Sequence, residues 1–235
     1  MFISNNELIN HDNLCVGAEG KCMLGVDAHV WQKILTCETL QTSQHGTVPY
    51  QYQYQQRGLA IKLKKLGAEH VSVATSYSNL ASIHHDLGDL EQAKEYQQRG
   101  LAIELKKLGA EHVSVATSYG NLASIHQDLG DLEQAKEYQQ RGLAIQLKKL
   151  GAEHVSVATS YGRLAAIHKD LGDLEQAKEY QQRALAIDLK KLGAEHVSVA
   201  TSYNNLALIH QDMGDLEQAM EYQQRALALK LLEPW

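Results

Sequence analysis

From residue 71 onward the apolar positions fall at helical spacing, and the whole pattern then repeats as a block. Val73, Tyr77, Leu80, Ala81, His84 and Leu87 lie three, four or one residue apart and make one stripe on a helix. Gly88 follows, where a glycine can end a helix in the left-handed conformation. Asp89 is placed to cap the next helix, with Gln92 three residues on as a variant capping box. The second helix carries Leu90, Ala93, Tyr96, Gln97, Gly100, Leu101 and Leu108 on its packing face. Lys106 and Lys107 stand in its last turn, where cations complement the helix dipole. Gly109 ends it, and Ala110, Glu111 and His112 lead into the next first helix.

The block recurs every 42 residues: Tyr77, Tyr119, Tyr161 and Tyr203; Leu80, Leu122, Leu164 and Leu206; Ala93, Ala135, Ala177 and Ala219. The stretch LGDLEQAKEYQQR stands unchanged at Leu87, Leu129 and Leu171, and returns with two changes at Met213. A fixed period of this length signals stacked supersecondary units. One helix pair leaves both stacking faces in water, so its apolar side chains cannot offset the entropy of ordering it. Identical pairs piled in register bury a continuous core, and identical interfaces require identical residues.

These residues resemble the tetratricopeptide repeat in its 42-residue form, the form of kinesin light chain and nephrocystin-3-like proteins. The resemblance covers residues 50–233 and rests on Leu80-Ala81, Gly88, Ala93, Arg99-x-Leu101-x-Ile103, Leu108-Gly109 and His112-x-x-Val115-Ala116, each recurring down the chain. It implies an all-α fold: an α-solenoid, a right-handed superhelix of antiparallel helix pairs, with four full units and one extra N-terminal helix. The expected layout is a non-repeat segment over 1–49, an orphan second helix over 50–66, and an array over 67–233 with units near 74–107, 116–149, 158–191 and 200–233. The resemblance also implies a groove lined by the first helices, which binds a peptide or partner protein. Val71, Val113, Val155 and Val197 stand where the family often has proline, which is favourable at a helix start but not required.

The four units differ at few places, and most of these share one helix face. They are Ser78, Gly120, Gly162 and Asn204; Asn79, Asn121, Arg163 and Asn205; Ser82, Ser124, Ala166 and Leu208; and His85, Gln127, Lys169 and Gln211. This spacing, i, i+1, i+4 and i+7, makes a lane along each first helix. A lane of variation over a fixed core is what a recognition surface shows, and it coincides with the groove face that the resemblance implies. Neutral drift of a solvent-facing surface is the alternative. In the second helix Glu104, Gln146, Asp188 and Lys230 vary at one position. The candidate peptide-binding residues are therefore Ser78, Asn79, Ser82, His85, Asn121, Ser124, Gln127, Arg163, Lys169, Asn204, Asn205, Leu208 and Gln211. Arg163 and Lys169 make the third unit the most basic, while Asp86, Asp128, Asp170 and Asp212 add negative charge. The family's five-residue carboxylate clamp is matched only at Asn121 and Arg163. Ser78, Ser82 and Thr159 replace its other members, which argues against binding of chaperone tails. The acidic, aromatic-anchored peptides of kinesin light chain remain compatible with Arg163 and Lys169.

The net charge of −6 lacks the basic footprint of a nucleic-acid binder. No apolar run approaches the roughly 18 residues that span a bilayer, and MFISNNELINHDN has no signal-peptide pattern. Cys15, Cys22 and Cys37 are odd in number and have no metal spacing, as expected of reduced thiols in a cytosolic protein. Twelve histidines form no H-x-x-x-H or H-E-x-x-H pattern; His70, His112, His154 and His196, one per junction, are expected to cap or pack. No phosphate loop, dinucleotide fingerprint or nucleophile elbow is present. The expectation is a cytoplasmic protein, at the cytoskeleton or cilium, with no catalysis, cofactor, metal, nucleic acid or membrane.

Residues 1–49 are expected to be partly disordered, with a weak helix over Asp27–Leu40 around Trp31. Leu231, Leu232 and Trp235 leave an apolar end that can dock another copy or continue a longer array. Two further readings stand beside the adaptor. One is a spacer or sensor arm of a nucleotide-switch receptor of which this chain is a fragment. The other, an enzyme, would need convergent acids, histidines or thiols in the N-terminal segment.

Overall fold

The structure is a computed structural model that describes residues 48–231, and among these it holds nine α-helices and no strand. The expectations for residues 1–47, including Trp31 and the cysteines, and for Leu232 and Trp235 lie outside the described residues. The chain divides into two compact units, with the boundary between Val73 and Ala74. The described part of the first is α1 (Val48–Leu66), a turn, and the opening of α2 (Val71–Asp86). Within it α1 buries Tyr52, Leu59 and Leu63 and exposes Tyr50, Tyr54 and Ile61. Lys62 Nζ donates to the Ser72 carbonyl at 3.3 Å, and His70 Nδ1 accepts from the Ser72 amide at 3.1 Å.

The second unit holds the rest of α2 and then α3 (Leu90–Leu108), α4 (Val113–Asp128), α5 (Leu132–Leu150), α6 (Val155–Asp170), α7 (Leu174–Leu192), α8 (Val197–Asp212) and α9 (Leu216–Lys230). From α3 on, each helix packs against the next in sequence. The even-numbered helices are the first helices of the pairs, and the odd-numbered ones the second.

Two histidines in each repeat carry out opposite tasks. At the start of α4, α6 and α8, the Nδ1 of His112, His154 and His196 accepts from the amide of Ser114, Ser156 and Ser198 at 3.1 Å. An amide can only donate, so this nitrogen carries no proton. At the end of the same helices His126, His168 and His210 are buried, and their Nδ1 lies 3.1–3.2 Å from Asp131, Asp173 and Asp215 Oδ2. A carboxylate can only accept, so here Nδ1 carries the proton. The Nε2 atoms of these three rings are buried without a hydrogen-bond partner among the described residues, and a bare ring nitrogen is the form that leaves no donor stranded. The same aspartates cap the second helices, accepting from Gln134, Gln176 and Gln218 amides at 3.3–3.4 Å. Each His ring also packs on a tyrosine of the second helix, 5.2–5.3 Å away for Tyr138, Tyr180 and Tyr222. That tyrosine stacks at 5.9–6.0 Å on Tyr119, Tyr161 or Tyr203 of the first helix.

The spine runs between repeats. Leu101 and Leu105 of α3 pack with Val115, Leu122 and Tyr119 of α4 and with Tyr138 and Ile145 of α5. One period later Leu143 and Leu147 do the same with Val157, Leu164, Tyr161, Tyr180 and Ile187. Leu87, placed in the apolar stripe by its spacing, instead lies in the turn and is 38% exposed. Lysines at the end of one second helix reach back over the junction. Lys148 pairs with Glu111 and Lys190 with Glu153, holding both carboxyls below their ordinary range, chiefly through the lysine hydrogen bonds.

The second helices carry Gly58, Gly100 and Gly142 where the later ones carry Ala184 and Ala226, and the space around these glycines differs. A Cβ at Gly142 would lie 2.9 Å from the Ala116 carbonyl oxygen, whereas one at Gly58 meets no atom within 4 Å. Gly58→Ala is therefore expected to stabilise α1 by about 0.5–1 kcal/mol. Gly142→Ala is expected to gain nothing or to lose stability, because the obstacle is backbone. Urea denaturation of the two variants side by side checks this.

Candidate functional site

The first helices α2, α4, α6 and α8 bring the variable residues to their partly accessible side, and the structure sorts them into three groups. The first is a ladder at the helix ends. His85 Nε2 lies 2.5 Å from Asp128 Oδ2, Gln127 Nε2 donates to Asp170 Oδ2 at 2.5 Å, and Lys169 Nζ to Asp212 Oδ2 at 3.5 Å. The last lane residue of one unit thus binds the aspartate of the next. These residues tie the units together.

The second group sits where one first helix passes the next. Gly120 is buried, and a Cβ there would come within 2.7 Å of Arg163 Nη1. The small residue in the second unit makes room for the large one in the third. Arg163 is exposed and makes no hydrogen bond or ion pair with any described residue. Asn205, at the matching place one unit on, turns inward and donates to Gln181 Oε1 at 3.5 Å. Asn121 and Asn204 are half-buried.

The third group is open: Asn79, Ser82, Ala166, Leu208 and Gln211 are exposed, while Ser78 and Ser124 are half-buried. Leu208 is 49% exposed, an apolar point on an otherwise polar lane. The neighbouring faces are stiffened by Arg183 and Arg225. Their guanidiniums lie 5.8–5.9 Å over the paired tyrosines.

In the first three units the variable position of the second helix is not on the surface. Glu104, Gln146 and Asp188 are buried at the junctions. Ser118 Oγ donates to Glu104 Oε2 at 2.6 Å, and Ser160 Oγ to Gln146 Oε1 at 2.7 Å. Burial pushes the Glu104 carboxyl above its ordinary range, against the pull of Ser118 and of His112 nearby. An acid raised in the fold adds stability below the ordinary carboxylate range, and that stability is lost as pH rises through the raised value. Glu104→Gln copies the second unit and keeps the serine bond. Its melting temperature is expected to exceed that of the native chain near pH 7, and the difference to vanish below the ordinary glutamate range; melting curves across pH check the sign.

Spacing places the lane residues together on the first helices but does not mark the buried junction residues. Their only sequence signal is that they vary while everything around them is fixed. Among the described residues no group of three His, Cys, Asp or Glu is placed to hold a metal ion. No helix of the described residues is long and apolar enough to cross a membrane.

A stack of helix pairs with a fixed spine and one varied face is the architecture of a repeat scaffold. The chain belongs to the tetratricopeptide repeat family, whose model matches residues 52–106, 72–148, 114–190 and 156–231. Among solved structures it is similar to a Podosopora anserina putative kinesin light chain with nearly identical TPR-like repeats. Identity is 32% over 80% of this chain and 89% of that one, with a TM-score of 0.68. It also shares its fold with BtubC (BKLC) from P. vanneervenii, at 23% identity over 81% of this chain and 77% of that one, with a TM-score of 0.71. No curated protein matches it. The family and the first neighbour point to a non-catalytic scaffold fold, of the kind that serves protein–protein interaction in general.

Proposed function

We propose that this chain is a non-enzymatic adaptor that binds an extended acidic segment of a partner protein along the lane on α2, α4, α6 and α8. The observation that carries this reading is Arg163. It is a cation on the varied face, given room by Gly120, and no described residue neutralises it. An arginine in that state can take a carboxylate through two parallel hydrogen bonds. Leu208, exposed on the first helix one unit further along the lane, offers an apolar contact for an aromatic anchor. The likeness to a putative kinesin light chain supports the same reading, and with it we propose a cytoplasmic location at the cytoskeleton or cilium.

The test is fluorescence anisotropy with a labelled peptide that carries an aromatic residue flanked by Asp and Glu. Arg163→Glu combined with Lys169→Gln is expected to weaken binding at least about tenfold. Gln is the residue of the second unit at the Lys169 position and keeps the ladder bond. Gln140→Glu and Gln182→Glu, exposed on the second helices, are expected to change nothing. Equal binding by both variants would remove the site from the lane.

A second copy of the chain is the other partner we propose. Leu227 and Leu231 are 56% and 76% exposed, at the positions where Leu143 and Leu147 pack on the next unit. Light scattering should show mass rising with concentration, and a monomer at all concentrations would refute self-association.

A further inference from the structure

The junction between the third and fourth units differs from the two before it. At the earlier junctions a long side chain fills the space beneath the first helix and takes a serine hydroxyl: Glu104 from Ser118 and Gln146 from Ser160. At the third junction the corresponding residue is Asp188, one methylene shorter. Its counterpart Ser202 instead accepts from Gln181 Nε2 at 3.0 Å and makes no hydrogen bond to Asp188. A cleft of about 210 Å³ opens here, with Asp188 among its lining residues.

The chemistry of that cleft is specific. Asp188 is only 7% exposed, and it makes no hydrogen bond or ion pair with any described residue. Val155, Ala158, Ala184 and Val197 supply apolar lining, and Thr159 and Thr201 add hydroxyls. A buried carboxylate without a hydrogen-bond partner calls for a cation, and apolar walls suit a methylene stem. A metal ion is a poor occupant, because no group of three ligating residues is present among the described residues. We propose that this cleft receives the side chain of a lysine in the bound segment, its ammonium against the Asp188 carboxylate and its stem between the α6 and α8 walls.

Burial pushes the Asp188 carboxyl up, opposed by the His196 ring, and an ammonium in the cleft would act in the same sense as that ring, favouring the charged form. The proposal rests on the peptide-binding reading and sharpens it. Arg163 faces Gly120 on the second-unit side of α6, while the cleft lies on the fourth-unit side. The favoured segment therefore carries an acid and a lysine a few residues apart, in a fixed direction along the lane.

The test titrates the whole chain with N-acetyl-lysine methylamide and follows amide resonances of Thr159, Thr201 and Asn205 by NMR. The norleucine counterpart is the uncharged control. Saturable shifts are expected with the lysine compound, weakened at least about tenfold for norleucine and for Asp188→Gln. Asp188→Gln uses the residue of the second junction, so the fold accepts it. Gln140→Glu, exposed on a second helix away from the cleft, is expected to leave the lysine titration unchanged. No saturable shift in the native chain, or equal binding by Asp188→Gln, overturns the pocket. If the lysine compound fails while the acidic peptide binds, only the pocket falls. If the acidic peptide fails while the lysine compound binds, the lane reading falls and the pocket stands.

Discussion

Leu164→Ala is expected to destabilise the array by about 2–5 kcal/mol, the range for emptying a leucine site in a close-packed core. Leu164 has no exposed surface and sits in the cluster that joins Leu143 of α5 to Val157 of α6. The substitution therefore opens a void inside an interface between units, and in a stack of this kind the interface terms couple the units into one transition. Urea denaturation followed by circular dichroism should show a broadened or split transition as well as a lower midpoint. Leu206→Ala, equally buried but in the last unit, should release one helix pair and leave the rest of the transition in place. A single sharp transition for Leu164→Ala with an unchanged midpoint would mean that the units do not depend on this spine.

The second large effect is expected at Asp173. One oxygen accepts the Gln176 amide at 3.4 Å and caps α7, while the other holds the buried His168 ring at 3.2 Å. Asp173→Ala removes a cap worth about 0.5–2 kcal/mol. It also strands a ring N–H, which costs about 1–3 kcal/mol if it stays dry. The carboxylate is half exposed, and water admitted to the ring lowers the second figure. A loss of about 1–4 kcal/mol follows. Asp173→Asn keeps a capping oxygen but cannot accept from the ring with its other atom, so it should fall between native and alanine. Thermal melts of the three proteins give the order, and alanine equal to asparagine would show that the His168 contact contributes nothing.

The local grammar of the repeat was legible because each signal acts within a few residues. Gly88, Gly130, Gly172 and Gly214 take positive φ between 77° and 81°, and the aspartates after them cap as their position implies. What local pattern does not carry is how many neighbours a helix has. A single apolar stripe was assigned to each first helix, yet Ile125, Ile167 and Ile209 are also buried. Each of these helices packs against the second helix before it and the one after it, so its buried arc is wider than one stripe. The lane shows the same limit. Its face follows from the spacing of Ser78, Asn79, Ser82 and His85, but the bonds from His85, Gln127 and Lys169 to acids 43 residues on exist only once the pairs are stacked. Variation between units likewise marks the surface only in part, since Glu104, Gln146 and Asp188 vary inside the junctions.

Photo-crosslinking asks most directly whether the varied face is the face that reads a partner. Benzoylphenylalanine placed at Ser82 or Ala166 is expected to capture the acidic, aromatic-bearing peptide. The same probe at Gln140 or Gln182, on the second helices, is expected to leave it free. Equal capture from both faces, or capture from the second helices alone, would contradict the account.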